Sequence, residues 1–241
     1  MRATAGPPVP VYVDDRSDRL ITSAVYGQAS YRLARGWTLA AAPGCSRQTC
    51  APVPPSRPLT GATRAFTRKA QFKGWSPQLT LQHDFQSGAM LYLLASEGGR
   101  PGGFNSGGIS APAPSRKTFQ PDRLRNFEVG TKLRLFDRRL SVQSAVFYDL
   151  WNNIQTDQYL PSGLPYTANV GDGRNIGLEI EATWRPTTTL TVQANALLNS
   201  SKVTKVNPIF ATRVQDRLPG VPDASVAPWP PMSDPCGITC P

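Results

Sequence analysis

Apolar and polar residues alternate one by one in several stretches of the chain. The alternation is clear in residues 20–33, 126–136, 140–150 and 175–186. Within the second stretch, every second position is apolar at Phe127, Val129, Leu133 and Leu135. A period of two with β-branched and aromatic residues predicts β-strands, and none of these stretches shows the period near 3.6 of a helix. The chain is therefore predicted to be all-β, with about eight to nine strands.

The connections between these strands alternate in length. Short connections are expected at 34–36, 86–88, 137–139 and 186–189, and long ones at 43–70, 98–118, 151–169 and 200–217. In an antiparallel up-and-down sheet, every second connection lies at the same end. One rim then carries tight turns and the other carries large loops, which is typical of outer-membrane barrels. A soluble Greek-key sandwich gives no reason for this sorting, so an up-and-down meander from a transmembrane barrel is predicted.

The polar positions of the strands carry charged residues, namely Glu128, Lys132, Arg134, Glu179, Glu181 and Arg185. A barrel lumen tolerates such residues while the apolar positions face lipid. An ordinary antiparallel sheet with one solvated face gives the same alternation, and it leaves a soluble binding module for carbohydrate or another polar ligand as the alternative. The two hypotheses differ in whether the apolar side chains face lipid or a second sheet. The side chains whose surroundings distinguish the two hypotheses are Val129, Leu133, Val146, Leu178 and Trp184.

Three longer segments carry a family resemblance. "MLYLLASEGGRPGGFN" (90–105) resembles a signature in the barrel of TonB-dependent outer-membrane receptors, and residues 119–158 and 169–199 resemble the segments that follow it in that family. The similarity covers 20–42 and 72–225 in the family's order. It implies that residues 20–227 form part of a larger barrel, without a plug domain. It also implies a receptor for energised uptake of a ferric siderophore or a similar scarce ligand.

The resemblance further implies a location in the outer membrane and contact with its lipid. TonB is expected to act only through a plug segment that is not recognisable in this chain, and no signal peptide is visible at the start. The chain by itself is therefore expected not to transport. No cofactor and no metal site are expected.

The stretch "GGRPGGFNSGG" (98–108) is expected to begin the first long loop of the signature. Its glycines are expected to adopt positive φ where the chain leaves the sheet, with Phe104 and Asn105 fixing the base of the loop. A phosphate-binding loop is excluded because no helical pattern follows and no Lys-Ser/Thr pair stands at P-loop spacing. A flexible linker is disfavoured because strands of one sheet flank the stretch on both sides.

Candidate ligand-binding residues are nominated on the long loops. Arg100 and Asn105 lie on the first of them, and Arg174 and Asn175 begin the strand that returns from the second. The second loop supplies Trp151, Asn152, Gln155, Gln158 and Tyr159. Arginine and aromatic side chains suit an anionic, aryl-bearing ferric chelate. Each residue has a structural alternative as loop scaffolding, and Trp151 and Tyr159 have a further one in the aromatic girdle of a barrel.

Three segments depart from the family pattern. Residues 1–19 are expected to be irregular, 43–70 to be an atypical insert or loop, and 228–241 to be an irregular Pro-rich tail. Both 43–64 and the tail are hypothesised to come from frame-shifted coding sequence. The four cysteines lie in these segments, and they are interpreted as accidental, with a loop disulfide between Cys45 and Cys50 as the alternative. Their spacings do not match a zinc site.

The net charge of +10 does not alter these predictions. The basic residues are scattered, and no aromatic and basic cluster falls on one face, so no nucleic-acid partner is expected. The chain has one histidine, His83, and no G-x-S-x-G motif. Glu179 and Glu181 share a strand face, but carboxylates that line a lumen are commoner than a glycosidase pair. The chain is predicted not to be an enzyme.

Overall fold

The computed structural model describes residues 18–52, 69–105, 117–160, 165–210, 216–218 and 220–229. These residues are mostly β-strand, with one 3₁₀ turn at Pro208–Phe210. The strands are β1 (Asp18–Tyr26), β2 (Ala29–Ala34), β3 (Trp37–Ala42), β4 (Gly44–Pro52), β5 (Ala70–Trp75), β6 (Gln78–Asp84), β7 (Met90–Gly98), β8 (Gly103–Phe104), β9 (Thr118–Phe119), β10 (Arg123–Leu135), β11 (Leu140–Tyr159), β12 (Pro165–Trp184), β13 (Val192–Val206) and β14 (Ala224–Trp229). In this part of the chain, no helix is long and apolar enough to cross a membrane.

Nine of the strands form one antiparallel sheet in the order β14-β13-β12-β11-β10-β7-β6-β3-β2. A three-stranded sheet, β1-β4-β5, extends it, because β1 leads into β2, β3 into β4 and β5 into β6. Backbone hydrogen bonds from Gly27 to Pro43 (3.2 Å) and from Ser76 to Gly44 (2.8 Å) hold the junctions together. With their extensions, β2, β3 and β6 therefore form three long, interrupted strands of one partial barrel, and β2 and β14 are the edges of its nine-stranded sheet.

The predicted hairpins are confirmed. The pairs β2–β3, β6–β7, β10–β11 and β12–β13 are antiparallel and joined by the four expected tight turns. The remaining pairs of the nine-stranded sheet are also antiparallel. Because the chain reverses direction at each step, all four tight turns lie at one end of the sheet, as predicted. The opposite end is called the long-loop rim below.

Three of the four long connections were predicted too long. The expected loop 43–70 contains β4, which pairs with both β1 and β5. The expected loop 151–169 is mostly the paired ends of β11 and β12, and β13 continues to Val206 inside the expected loop 200–217. Backbone pairing there continues where apolar alternation has stopped, because beyond the membrane neither face needs to be apolar.

The predicted end segments are structured in part. Residues 18–19 belong to β1, and β14 runs to Trp229, two residues into the expected tail. Residues 1–17, 53–68 and 230–241 lie outside the described residues, and with them Cys236 and Cys240. Cys45 and Cys50 lie on the same strand, β4. Five residues of strand separate them by about 16 Å, so the alternative of a disulfide between them is wrong.

The register places the apolar and polar positions on opposite faces, as predicted. Across five strands, one row of partners reads Leu93, Val129, Val146, Leu178 and Leu198. The two rows that flank it, on the other face, contain Glu128 and Glu179 respectively. Val129, Val146 and Trp184 are 49%, 53% and 49% exposed, so no second sheet of the described residues covers the apolar face. The sandwich on which the soluble alternative depended is therefore not formed by them.

Two aromatic rings on the polar face lie over glycines. The ring of Tyr92 covers Gly130, and the ring of Phe147 covers Gly177, each so closely that a Cβ on the glycine would meet ring atoms. The hydroxyl of Tyr92 also donates a hydrogen bond to the carboxylate of Glu128. The glycines in these strands therefore make room for neighbouring rings, and they give the polar face an ordered surface.

The buried hydrophobic cluster lies near the long-loop rim and outside the band of apolar rows. Its members are Ile154, Tyr166, Ala168, Val170, Phe210 and Leu218. Ile154 and Leu218 contact the position of Gly173, which shares the polar face of the sheet with Glu179. The rim residues thus pack over that face, while the apolar face stays uncovered by the described residues.

The tight turn between β10 and β11 gives a testable prediction. Phe136, Asp137 and Arg138 have φ of +50°, +53° and +68°, and the Arg139 N–H donates to the Phe136 carbonyl. Positive φ at the two central residues of a turn, here Asp137 and Arg138, favours Asp-Gly. Arg138→Gly should stabilise the hairpin by about 0.5–1 kcal/mol because it removes the left-handed strain of an L-residue. Slower amide hydrogen exchange in this hairpin would be the measured effect.

The neighbouring arginine provides the control. Arg139 is not among the residues with positive φ. Arg139→Gly removes the same charge, loses the 3.5 Å hydrogen bond from Nη1 to the Pro186 carbonyl and adds chain entropy, so it should destabilise the hairpin by about 0.5–1 kcal/mol. Equal effects of the two substitutions would contradict the assignment of strain to Arg138.

Candidate functional site

The glycines of the 98–108 stretch do not act as predicted. Among its described residues, 98–105, none has a positive φ, so the expectation of left-handed glycines is wrong there. A Cβ on Gly99 would lie 2.2 Å from the carbonyl oxygen of Asp122, and one on Gly102 would lie 2.4 Å from that of Phe119. The glycines therefore allow this segment to approach the chain before β10 closely. Gly107 and Gly108 lie outside the described residues.

A buried carboxylate holds this segment. Asp122 is 5% exposed. Its Oδ1 accepts the backbone N–H of Arg100 at 2.8 Å, and its Oδ2 accepts the Nε–H of Arg100 at 2.8 Å. The indole N–H of Trp151 donates to the same Oδ2 at 3.1 Å. One carboxylate therefore ties the loop after β7 to β11.

The Arg100 side chain spans the contact between loop and sheet. Its Nη2 also donates to the carbonyl of Gln155 at 3.0 Å, and its guanidinium carbon lies 5.3 Å from the centre of the Trp151 ring. The side chain stays 53% exposed. Arg100 is thus oriented by three partners, and part of its guanidinium still faces outward.

Two nominated amide residues are buried and bound to the backbone. The Asn105 side chain exchanges hydrogen bonds with Thr167, accepting its N–H at 2.8 Å and donating to its carbonyl at 2.7 Å. The Gln155 Nε2 donates to the carbonyls of Pro101 and Gln120, both at 2.9 Å. They are 8% and 9% exposed. The prediction that Asn105 fixes the base of the loop agrees with this geometry.

A third amide extends the network. The Asn169 Nδ2 donates to the carbonyls of Gln120 and Asn153, and its Oδ1 accepts the N–H of Gln120. Asn153 has a φ of +60° within a register shift of β11. Its N–H donates to Asp172 at 2.7 Å. The irregular part of β11 is therefore held from both sides.

The seven nominated residues other than Arg100 and Asn105 lie on strands. Trp151, Asn152, Gln155, Gln158 and Tyr159 all belong to β11, so the prediction that they lie on a loop is wrong. Arg174 and Asn175 lie within β12, well after its start at Pro165. Asn175 is on the polar face opposite Asp149, but Arg174 pairs with Leu150 on the other face. The structure thus brings together Arg100, Trp151 and Gln155, with Asn105 next to them.

The sequence reasoning missed the central residue of this cluster, Asp122. It stands in the segment "FQPDRLRN" (119–126), where the family pattern has a proline followed by an acidic residue. That signal could have found it. The amides of Asn153 and Asn169 carried no such signal, because their partners are backbone carbonyls that only the fold brings close.

The neighbouring glycines at the start of the loop make the close approach testable. Gly99→Ala would place a methyl group against the Asp122 carbonyl, and the resulting shift should cost about 1–3 kcal/mol, which is roughly five- to hundredfold faster amide exchange in 99–105. Gly98 has nothing within 4 Å of its Cβ position and no positive φ. Gly98→Ala should therefore leave exchange unchanged. Equal amide exchange in the two variants would show that the close contact at Gly99 does not contribute to the stability of this loop.

The cluster exposes a cation and aromatic rings at the long-loop rim. Arg100 is half-exposed, Trp151 is half-buried, and the Tyr159 side chain at the end of β11 is 64% exposed. Arginine and aromatic faces together bind anions that carry rings. Among the described residues, no group of three or more His, Cys, Asp or Glu side chains could hold a metal ion. The one histidine, His83, lies between Trp37 and Phe85 with ring centres at 4.4 Å from each.

The sheet has the features of a transmembrane barrel wall: antiparallel neighbours, sorted turns, one apolar and one polar face, and a packed long-loop rim. The family model for the TonB dependent receptor-like β-barrel matches residues 2–227. The chain belongs to this family, whose members are outer-membrane transport receptors. The sequence matches no curated protein.

Solved structures of receptors share the fold. The ferric yersiniabactin uptake receptor FyuA from Yersinia pestis superposes with a TM-score of 0.68 at 19% identity, over 87% of this chain and 30% of FyuA. The siderophore receptor PiuA from Acinetobacter baumannii gives 0.63 at 18%, over 87% and 30%. The ferric-catecholate import receptor Fiu from E. coli K12 gives 0.60 at 16%, over 87% and 31%. The chain therefore spans about 30% of the length of these receptors.

Proposed function

We propose that this chain is part of the barrel wall of an outer-membrane receptor that takes up a ferric siderophore or a similar scarce ligand with energy from TonB. The observation that supports the proposal is at the long-loop rim. There the half-exposed Arg100 lies over the Trp151 ring, at the long-loop end of a TonB-dependent receptor barrel. Among the solved structures of similar fold, PiuA is described as a siderophore receptor, FyuA as a ferric yersiniabactin uptake receptor and Fiu as a ferric-catecholate import receptor, which supports this ligand class. TonB itself is proposed to act through a plug outside this region. No catalytic activity is proposed.

Within this proposal eight of the nine nominated residues take three roles, and Arg174 takes none of them because it lies on the apolar face. Arg100, Trp151 and Tyr159 are proposed to face the ligand, because they keep exposed cationic or aromatic surface at the rim. Gln158 and Asn152 are retained beside them, as neighbours on β11. Asn105 and Gln155 are proposed to act through the loop they hold, because their amides are buried in contacts with the backbone. Asn175 is proposed to line the lumen.

Uptake is the test of the proposed function. The locus that encodes this chain, with any coding sequence that adjoins it in frame, would be expressed in a bacterium that lacks its own siderophore receptors. We expect uptake of radioactive iron as one ferric siderophore, lost when TonB is removed. A barrel that is present in the outer membrane but takes up none of a panel of ferric siderophores would contradict the proposal.

Binding to outer membranes tests the ligand residues. Tyr159→Ala is expected to weaken retention of the ferric siderophore. Tyr31, 70% exposed on β2, provides the matched control, because Tyr31→Ala removes an equally exposed ring away from the rim. Equal retention in both variants would remove Tyr159 from the proposed binding surface.

A further inference from the structure

One row of the polar face consists only of side chains that carry oxygen. It crosses five strands near the long-loop rim, and on β11 it lies two residues from Trp151 toward the tight turns. Register partners from β7 to β13 are Ser96, Asn126, Asp149, Asn175 and Ser201. The row therefore places one carboxylate, two amides and two hydroxyls side by side.

The two amides flank the carboxylate, but each is hydrogen-bonded only in part. Asn126 and Asn175 both make hydrogen-bonding contacts with the carboxylate of Asp149. The Nδ2 of Asn175 also lies 3.5 Å from the Oδ1 of Asn199. The Oδ1 atoms of Asn126 and Asn175 are buried and have no hydrogen-bond partner among the described residues. Because a buried acceptor without a partner is destabilising, these two oxygens need a donor or a cation.

The surroundings of the carboxylate are negative. Asp149 makes no ion pair with any residue that the structure describes. Glu128, on the next row of the same face, is close enough to interact with it electrostatically. The Glu128 carboxylate accepts a hydrogen bond from the Tyr92 hydroxyl, which is neutral and leaves the charge in place. Two carboxylates without a described counter-ion attract a cation.

The oxygen atoms of this row suit a particular kind of cation. Ca²⁺ takes about 6–8 oxygen ligands, among them carboxylates, amide carbonyls and water, in flexible geometry. Mg²⁺ demands a nearly ideal octahedron, and Zn²⁺ is bound mostly by nitrogen and sulfur. The guanidinium of a protein partner is broader than a bare ion, and the two amide oxygens are buried from it. Calcium therefore fits this set of ligands best.

We infer that this row binds a Ca²⁺ ion between the carboxylate of Asp149 and the Oδ1 atoms of Asn126 and Asn175. Each amide would turn about its Cβ–Cγ bond, so that its oxygen replaces its nitrogen beside the carboxylate. Water would complete the coordination, with the hydroxyls of Ser96 and Ser201 next to the amides. The described residues lack a group of three or more His, Cys, Asp or Glu ligands, and here amide oxygens take the place of such ligands. With one charged ligand, a Kd of about 0.1–1 mM is expected, as in extracellular modules.

Calcium titration tests the inference. The protein would be expressed from its locus, with any coding sequence that adjoins it in frame, purified in detergent, freed of divalent ions with a chelator and titrated with Ca²⁺ by calorimetry. Asp149→Asn should weaken binding at least about tenfold, because affinity follows the number of charged ligands. Asn126→Asp adds a charged ligand and should strengthen binding about tenfold. A folded protein that binds no Ca²⁺ at millimolar concentration would overturn the inference.

Terbium luminescence checks the position of the ion. Tb³⁺ replaces Ca²⁺ in oxygen sites and emits when a tryptophan close to it is excited. Trp151 lies on the same face as Asp149 and about 7 Å further along β11. Trp151→Phe should therefore reduce the Tb³⁺ emission while the Ca²⁺ affinity stays unchanged. Undiminished emission would place the ion elsewhere and contradict the assignment to this row.

A carboxylate away from the row provides the matched control. Glu181 is exposed on the same face, six residues along β12 from Asn175. Glu181→Gln removes the same charge as Asp149→Asn, and it should leave the Ca²⁺ affinity unchanged. An equal loss in these two variants, or no gain in Asn126→Asp, would refute the inference. The inference does not rest on the proposed function, and uptake is not measured, so its failure leaves the proposed transport function standing.

Discussion

The 241-residue polypeptide expressed by itself with an added signal peptide is expected to give no energy-dependent uptake of any ligand. Nine strands form an open sheet in which β2 and β14 do not pair with each other. Inside a bilayer, each unpaired backbone group at such an edge costs several kcal/mol. Closure of so few long strands would need a shear and curvature that differ from those of a barrel of about 22 strands. The edges should therefore pair with other chains.

Heat-modifiable migration of outer-membrane extracts and uptake of radioactive iron siderophores check this expectation together. Aggregates or oligomers without uptake are the expected outcome. The matched control is the same polypeptide fused in frame with barrel strands that close the sheet, which should restore a heat-modifiable species. A folded, protease-resistant monomer that imports a ligand would contradict the expectation.

Asp122→Ala is expected to release the first long loop from the sheet. The carboxylate accepts from the Arg100 backbone, the Arg100 guanidinium and the Trp151 indole, and it is almost fully buried. Breaking a buried pair costs about 3–5 kcal/mol, and because Arg100 is half-exposed the lower value, about 3 kcal/mol, is expected. In amide exchange of residues 99–105, this corresponds to about a hundredfold acceleration.

Asp223 supplies the matched control for Asp122. It pairs with Arg217, but both side chains are more than half exposed, at 54% and 66%. Asp223→Ala should therefore cost at most about 1 kcal/mol. If the two substitutions accelerated exchange near their sites equally, the central role of Asp122 would be wrong.

The wall of the barrel could be predicted from the sequence because it depends on local rules. Alternation of apolar and polar residues set the strands of the 126–150 hairpin and their two faces. The short connection 137–139 set its turn, and the resemblance of 90–105 to a family signature supplied the identity of the fold. Each of these signals is carried by neighbouring residues in the chain, and a period of two leaves only one assignment of faces.

The rim could not be predicted in the same way. There the strands β11 and β12 continue without alternation, because backbone pairing needs no particular side chain once both faces are outside lipid. The glycines of 98–105 predict left-handed backbone by their number alone, yet they allow close contact with Asp122 and Phe119, about 20 residues away in the chain. Local composition cannot show which backbone will come near a glycine.

The sequence by itself therefore determined the class of fold, its up-and-down order and the division into an apolar and a polar face. Only the tertiary structure decided that Asp122 joins Arg100 to Trp151, that Asn105 and Gln155 are bound to backbone groups, and that Arg174 lies on the apolar face. The physical reason is the range of the interactions. Strand periodicity acts between adjacent residues, whereas these contacts join segments 22 to 62 residues apart and exist only once the strands are in register.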